Sequence, residues 1–308
     1  MTAIEAVATY VPRRRVPVAA LAGELGLSSI QVAMFERFHK LTEVRRADES
    51  LRDLLLAAVD RLEALRGNEH RVRFVLHARA FPVVTPYPVN PLHELCALRG
   101  LGHAEAFTVT QQSCATGLLA IDLAGRLLAD CAEPAALALV VAGEKAFTRD
   151  SRMLDGTSIF SEGSAACLVS RDGPRDRVLA YASLERGDFD GEPDEVAPLF
   201  QRGYTPSMAA AIRAALEDAG VTLDELSVIL PHNVNLGSWR RVCKALAVPP
   251  EQVLLDNVLK AGHMFCADMF LNYETARERG RLRAGERYLV AAAGAGLGAT
   301  FSALVIEH

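Results

Sequence analysis

The chain predicts an α/β protein, and three observations carry that reading. Short apolar runs recur along it, stretches of helical period separate them, and the pattern repeats in two halves that end alike. In the first half, residues 73–78 (Arg-Phe-Val-Leu-His-Ala), 106–110 and 136–143 read as buried strands. Residues 51–65 between them place apolar side chains at helical spacing. In the second half, residues 226–231 and 287–293 alternate with helices near 207–219 and 239–246. Each half closes on a small-residue turn and a strand, residues 165–170 in one and 301–306 in the other. The polar run 171–177 is the natural boundary, which divides the chain into halves of 1–172 and 173–308. Strands apolar throughout imply sheets covered by helices.

Composition fits a compact soluble enzyme. The 308 residues suffice for large cores, and 50% hydrophobic content with a net charge of −5 argues against a nucleic-acid-binding surface. No run approaches the roughly 18 apolar residues of a membrane span, so no membrane partner is expected. The opening Met-Thr-Ala-Ile-Glu lacks a basic region before a long apolar run, so no signal peptide is expected. Six cysteines without CxxC pairs favour reduced thiols, a cytoplasmic location and no metal site.

Residues 107–128 carry the chemistry. They read as a strand, a tight turn bearing Cys114, and a helix over 117–128. A helix start offers unpaired N–H groups and a dipole that favour a thiolate, and the same amides can receive an oxyanion. Ser113, Ala115 and Gly117 leave room for a substrate. A buried cysteine that only fills space is the alternative from position alone.

The segment Gln112-Ser-Cys114-Ala-Thr-Gly117 resembles the nucleophile segment of thiolase-fold condensing enzymes, in particular the ketoacyl synthase III branch. Pro231-His232-Asn-Val-Asn235 is similar to that branch's Pro-His-Gln-Ala-Asn segment. Phe160-Ser-Glu-Gly163-Ser-Ala-Ala resembles its Phe-Gly-Asp-Gly-Ala-Ala strand entry, and the tail from Gly294 resembles its closing glycine-rich turn and last strand. The matches follow family order over nearly the whole chain. The resemblance implies a thiolase fold, a duplicated five-layer αβαβα arrangement with mixed sheets. It implies Cys114 as a covalent nucleophile and His232 as a histidine that contacts the thioester carbonyl or relays protons. It also implies an oxyanion hole from the Cys114 amide with one near Gly294 or Gly296, and a homodimer in which Tyr87 reaches the partner's acyl pocket. Asn235 fits a structural role in the turn.

One position departs from the branch. Where ketoacyl synthase III has Gly-Asn-Thr-Ser, this chain has Gly262-His263-Met-Phe, with Asp268 five positions on. On one helix the two would stand roughly 140° apart, yet a histidine at its start can swing back toward the carboxylate. Asn donates but takes no proton, whereas neutral His263 paired with Asp268 can deprotonate a hydroxyl or amine. Gly-His-x-x-x-x-Asp resembles a divergent group from bacterial antibiotic (polyketide) pathways. The first expectation is therefore acyl transfer through Cys114 to a hydroxyl or amine. Decarboxylative condensation or starter loading stands second, and a non-catalytic partner subunit third.

No cofactor is expected beyond the phosphopantetheine arm of the donor, an acyl carrier protein or CoA thioester. The branch's CoA-stacking tryptophan is missing near residues 35–46, where Phe35 or Phe38 could substitute. Arg240, Arg241 and Lys244 fall where relatives greet an acidic carrier protein; a solvated basic helix face is the plain alternative.

Overall fold

The computed structural model describes residues 2–82, 88–191, 193–295 and 298–308. Among them, nine strands form one mixed sheet system: β1 (Ala3–Tyr10), β2 (Val72–Ala78), β3 (Glu105–Val109), β4 (Leu137–Glu144), β5 (Gly163–Ser170), β6 (Arg177–Arg186), β7 (Leu226–Pro231), β8 (Arg287–Ala295) and β9 (Ala299–Glu307). Their spatial order is β7-β8-β9-β6-β1-β5-β4-β2-β3. The run β1-β5-β4-β2 is antiparallel, antiparallel, then parallel, and β6-β9-β8-β7 repeats that sequence of pairings. The two runs meet where Ala3 pairs with Arg177. Beyond β2 the first run carries β3, whose outer side faces no strand among the described residues.

Strand periodicity sorts the side chains into layers. Along β4, Ala138, Val140 and Ala142 enter a central core while Leu137, Leu139 and Val141 enter an outer one. Along β8, Tyr288, Val290 and Ala292 face the same central core, and Leu289, Ala291 and Ala293 face a second outer one. Helices α3 (Thr116–Ala129) and α6 (Asp268–Glu278) fill the central layer. Helices α1 (Leu51–Val59) and α2 (Pro91–Leu98) cover one outer face; α4 (Pro193–Ala219) and α5 (Leu236–Leu246) cover the other. The succession is αβαβα.

Helix limits differ from the sequence expectation for local reasons. The predicted helix over 51–65 stops at Val59 and resumes only as a 3-10 turn, Glu63–Leu65; its start is set by Ser50, whose hydroxyl caps Asp53 N–H. The helix near 207–219 extends back to Pro193, and the one near 239–246 starts at Leu236 because Asn235 caps Ser238 N–H at 2.7 Å. The helix after Cys114 begins at Thr116, fed directly by a 3-10 turn over Ser113–Ala115. Close packing of α3 on the segment before α6 depends on Gly117, where a Cβ would sit 2.9 Å from the Cys266 carbonyl oxygen.

Candidate active site

Cys114 sits in that 3-10 turn, buried, at the entrance to α3. The approach is strained: Gln111 and Ser113 both take positive φ, 85° and 46°, although neither is glycine. Strain of this kind persists only where surrounding packing enforces it. Gly294, at the end of β8, provides part of that packing. A Cβ there would fall 2.0 Å from the Gln112 carbonyl oxygen, so only glycine lets β8 approach the turn. Gly294 thus lies in a strand end rather than in a loop. Gly296 and Tyr87, the other residues expected at the oxyanion hole and acyl pocket, lie outside the described residues.

His263 approaches Cys114 from the second half: Cys266, three residues on, donates its thiol to Ser113 O at 3.2 Å, and the charge of Cys114 acts on the His263 ring. Its Nδ1 is 2.5 Å from Asp268 Oδ2. No continuous helix links the two. Gly262 (φ 70°) and Phe265 (φ 53°) turn the chain sharply, and Asp268 opens α6. The 140° separation expected along a helix therefore does not apply, and the histidine folds back onto the carboxylate. Asp268 also accepts from Met264 N–H at 2.6 Å and Asn233 N–H at 2.6 Å. Burial pulls the His263 pKa down, but the charge and hydrogen bond of Asp268, with the charge of Cys114, outweigh it and lift the value to about 10.

His232 follows β7, and its ring centroid stands 5.6 Å from that of His263. Its N–H donates to Ala291 O at 2.9 Å, and Trp239 Nε1–H donates to its carbonyl at 2.8 Å, so the backbone is fixed on both sides. Tyr204 Oη lies 3.3 Å from Nε2, while Nδ1 has no partner among the described residues. Burial, then the neighbouring His263, holds its pKa well below the usual value, so the ring is neutral. A neutral imidazole whose Nε2 accepts from tyrosine presents Nδ1–H as a donor. Sequence reasoning missed Tyr204, because a tyrosine inside a long helix carries no local signal.

Asn235 caps α5 and donates to Thr157 O at 3.0 Å. A cavity of about 400 Å³ adjoins it, lined also by Phe38, His39, Arg202 and Arg241. Of the two aromatics expected to replace the stacking tryptophan, Phe35 is fully buried and so unavailable, whereas Phe38 is 60% exposed. Arg240, Arg241 and Lys244 are all exposed on α5.

Comparison with known proteins agrees with this geometry. The family described as 3-oxoacyl-[acyl-carrier-protein] synthase III C terminal matches residues 216–307. The beta-ketoacyl-[acyl-carrier-protein] synthase III of Aquifex aeolicus is 26% identical over 158 residues, about half of each chain (49% and 50%). The enzyme of that name from Rhizorhabdus wittichii is 25% identical over 270 residues, 82% of each chain. The solved structure of ChlB3, described as an acyltransferase, superposes with a TM-score of 0.85 at 20% identity, over 99% of this chain and 97% of that one. The solved structures and the partial sequence matches converge: the chain has the thiolase fold and is ketoacyl-synthase-III-like.

Proposed function

We propose that the chain is an acyltransferase of secondary metabolism. It moves an acyl group from a carrier-protein or CoA thioester, through an acyl-Cys114 intermediate, to a hydroxyl or amine. The observation that carries this reading is the buried His263–Asp268 pair, whose ring also feels the charge of Cys114. In the first half-reaction the Cys114 proton already resides on His263, so sulfur attacks the thioester carbon as the thiolate, and His263 gives that proton to the departing thiol. His232 Nδ1–H and the backbone near Cys114 and Gly294 receive the negative oxygen. Acylation removes the sulfur's charge, one of the influences that raise the His263 pKa, so the imidazole becomes a base for the acceptor. It takes the acceptor's proton as oxygen or nitrogen attacks the thioester, and it keeps that proton as Cys114 departs, which restores the starting pair.

The cavity beside Asn235 fits the donor's phosphopantetheine arm, with Arg202 and Arg241 as cations at its walls and Arg240 and Lys244 toward the carrier protein. The unpaired edge β3 supports a two-fold homodimer built by strand pairing. Incubating the protein with acyl thioesters and weighing it intact tests the nucleophile. Cys114→Ala should abolish the mass increase, and undiminished loading of that variant would sink the proposal.

Decarboxylative condensation is the second reading, favoured by the two histidines facing one another. Carbon dioxide release from malonyl thioester with a β-keto product, and no acylated hydroxyl or amine, would establish it instead.

A further inference from the structure

Burial leaves His232 a narrow choice of partners. The residue is 3% exposed, and burial with the neighbouring His263 keeps its ring neutral, so one nitrogen carries a proton and the other a lone pair. Tyr204 Oη lies 3.3 Å from Nε2 and has no other hydrogen-bond partner among the described residues, while Nδ1 has none at all. Burial also raises the Tyr204 pKa, so its hydroxyl keeps its proton. Two arrangements are open. With the proton on Nε2, that N–H donates to the tyrosine oxygen, and both the tyrosine O–H and the Nδ1 lone pair go unmet. With the proton on Nδ1, the tyrosine O–H donates to Nε2, and Nδ1–H alone is left over. Buried polar groups are ordinarily paired, so the arrangement with one unmet group is favoured over the one with two.

The surrounding rings hold this bond in place. Tyr204 packs edge-on against Phe200 and Phe301, with centroids 5.8 Å away in each case and interplanar angles of 68° and 66°. Trp239 stands edge-on to the His232 ring at 5.8 Å and also bonds the His232 carbonyl, which leaves the imidazole little freedom to turn. The unmet group belongs to a ring 5.6 Å from that of His263, which itself feels the charge of Cys114, so it lies at the site. Which nitrogen of a histidine carries the proton is set by the bond the other one makes. We propose that Tyr204 is a positioning residue that holds His232 as the Nδ1–H tautomer and so reserves that N–H for the thioester oxygen. The use made of the N–H rests on the acyl-transfer reading; the tautomer does not.

The test uses the full chain with nitrogen-15 in its histidines. There are eight, and the His232 signals are those lost in His232→Gln. Long-range nitrogen–proton correlation across the ring separates a protonated nitrogen from a bare one, and the wild type should show Nδ1 protonated and Nε2 bare. Free neutral histidine carries its proton mainly on Nε2, so Tyr204→Phe, which removes only the hydroxyl, should move the proton there. Trp239→Phe, which breaks the bond to the His232 carbonyl and not to its ring, should leave both nitrogens as in the wild type. Acyl loading of Cys114, read by intact mass, should slow about a hundredfold in Tyr204→Phe at saturating thioester, the scale of one lost oxyanion donor, with the half-saturating concentration unchanged. A proton on Nε2 in the wild type, or nitrogens unmoved by Tyr204→Phe, overturns the proposal. An equal shift in Trp239→Phe, or undiminished loading in Tyr204→Phe, overturns it as well. If the wild type loads no acyl group, the acyl-transfer reading falls, and the nitrogen signals still decide whether Tyr204 sets the ring.

Discussion

His263 Nδ1 and Asp268 Oδ2 lie 2.5 Å apart at the base of the site, and the carboxylate is also held by two backbone N–H groups. An orienting carboxylate fixes the tautomer and stabilises the imidazolium that forms as the proton is taken. Asp268→Asn preserves shape but removes the charge and leaves one oxygen to serve four donors. Transfer to the acceptor should fall by about a thousandfold, and by more than acylation of Cys114, because a thiol needs less help from a base than a hydroxyl or amine does. Rapid-quench measurement of the two half-reactions checks this. Loss of acylation in step with transfer would place Asp268 in the first half-reaction.

The raised pKa of His263 has a consequence for stability. Its value of about 10 exceeds the ordinary 6.5, so the folded chain holds a proton that the unfolded chain releases. That contribution is complete below about 6.5 and disappears as pH rises through about 10. Urea unfolding of the wild type and His263→Gln at pH 6, 8 and 10 should show a stability difference that narrows with pH. A constant gap would show that the proton is not held.

Gly294→Ala should damage the site without touching a polar group. The added methyl would meet the Gln112 carbonyl at 2.0 Å, so either β8 or the Cys114 turn must shift. The expected result is a loss of about 1–3 kcal/mol in unfolding free energy, from overpacking, with a larger proportional loss of acyl loading. Unchanged loading in a destabilised variant would separate the turn from catalysis.

Sedimentation tests the dimer. β3 exposes an edge that pairing with a second copy would satisfy, so the protein should sediment as a dimer at micromolar concentration, and a stable monomer would count against that assembly.

The Cys114 turn was legible because its parts are local: apolar strand, small residues, apolar helix. His263 and Asp268 were legible as residues, but their contact depends on the positive φ at Phe265, a non-glycine position that no residue pattern announces. Phe35 reads as a rim aromatic from its neighbours, yet it is wholly buried in the small core beneath the 34–39 segment. Arg79 and Glu144 went unseen for a related reason. A charge just past an apolar strand reads as the start of a solvated loop, and only the assembled sheet shows that both are enclosed. Strand alternation, by contrast, was plain along 287–293, where neighbours diverge to opposite cores.

The central helix pair has an implication for the chain as it is being made. Cys114 stands just before α3 in one half, while Asp268 opens α6 in the other and His263 stands just before it, so the sulfur meets its histidine only when the late-synthesised half has docked. Until then the thiol is an ordinary side chain without a proton acceptor, however well the first half has folded. Acylation by a thioester is therefore a reporter of completed assembly. On a nascent or proteolytically trimmed chain it should switch on only after residues 263–268 are present, which makes time-resolved loading a folding assay as much as an enzymatic one.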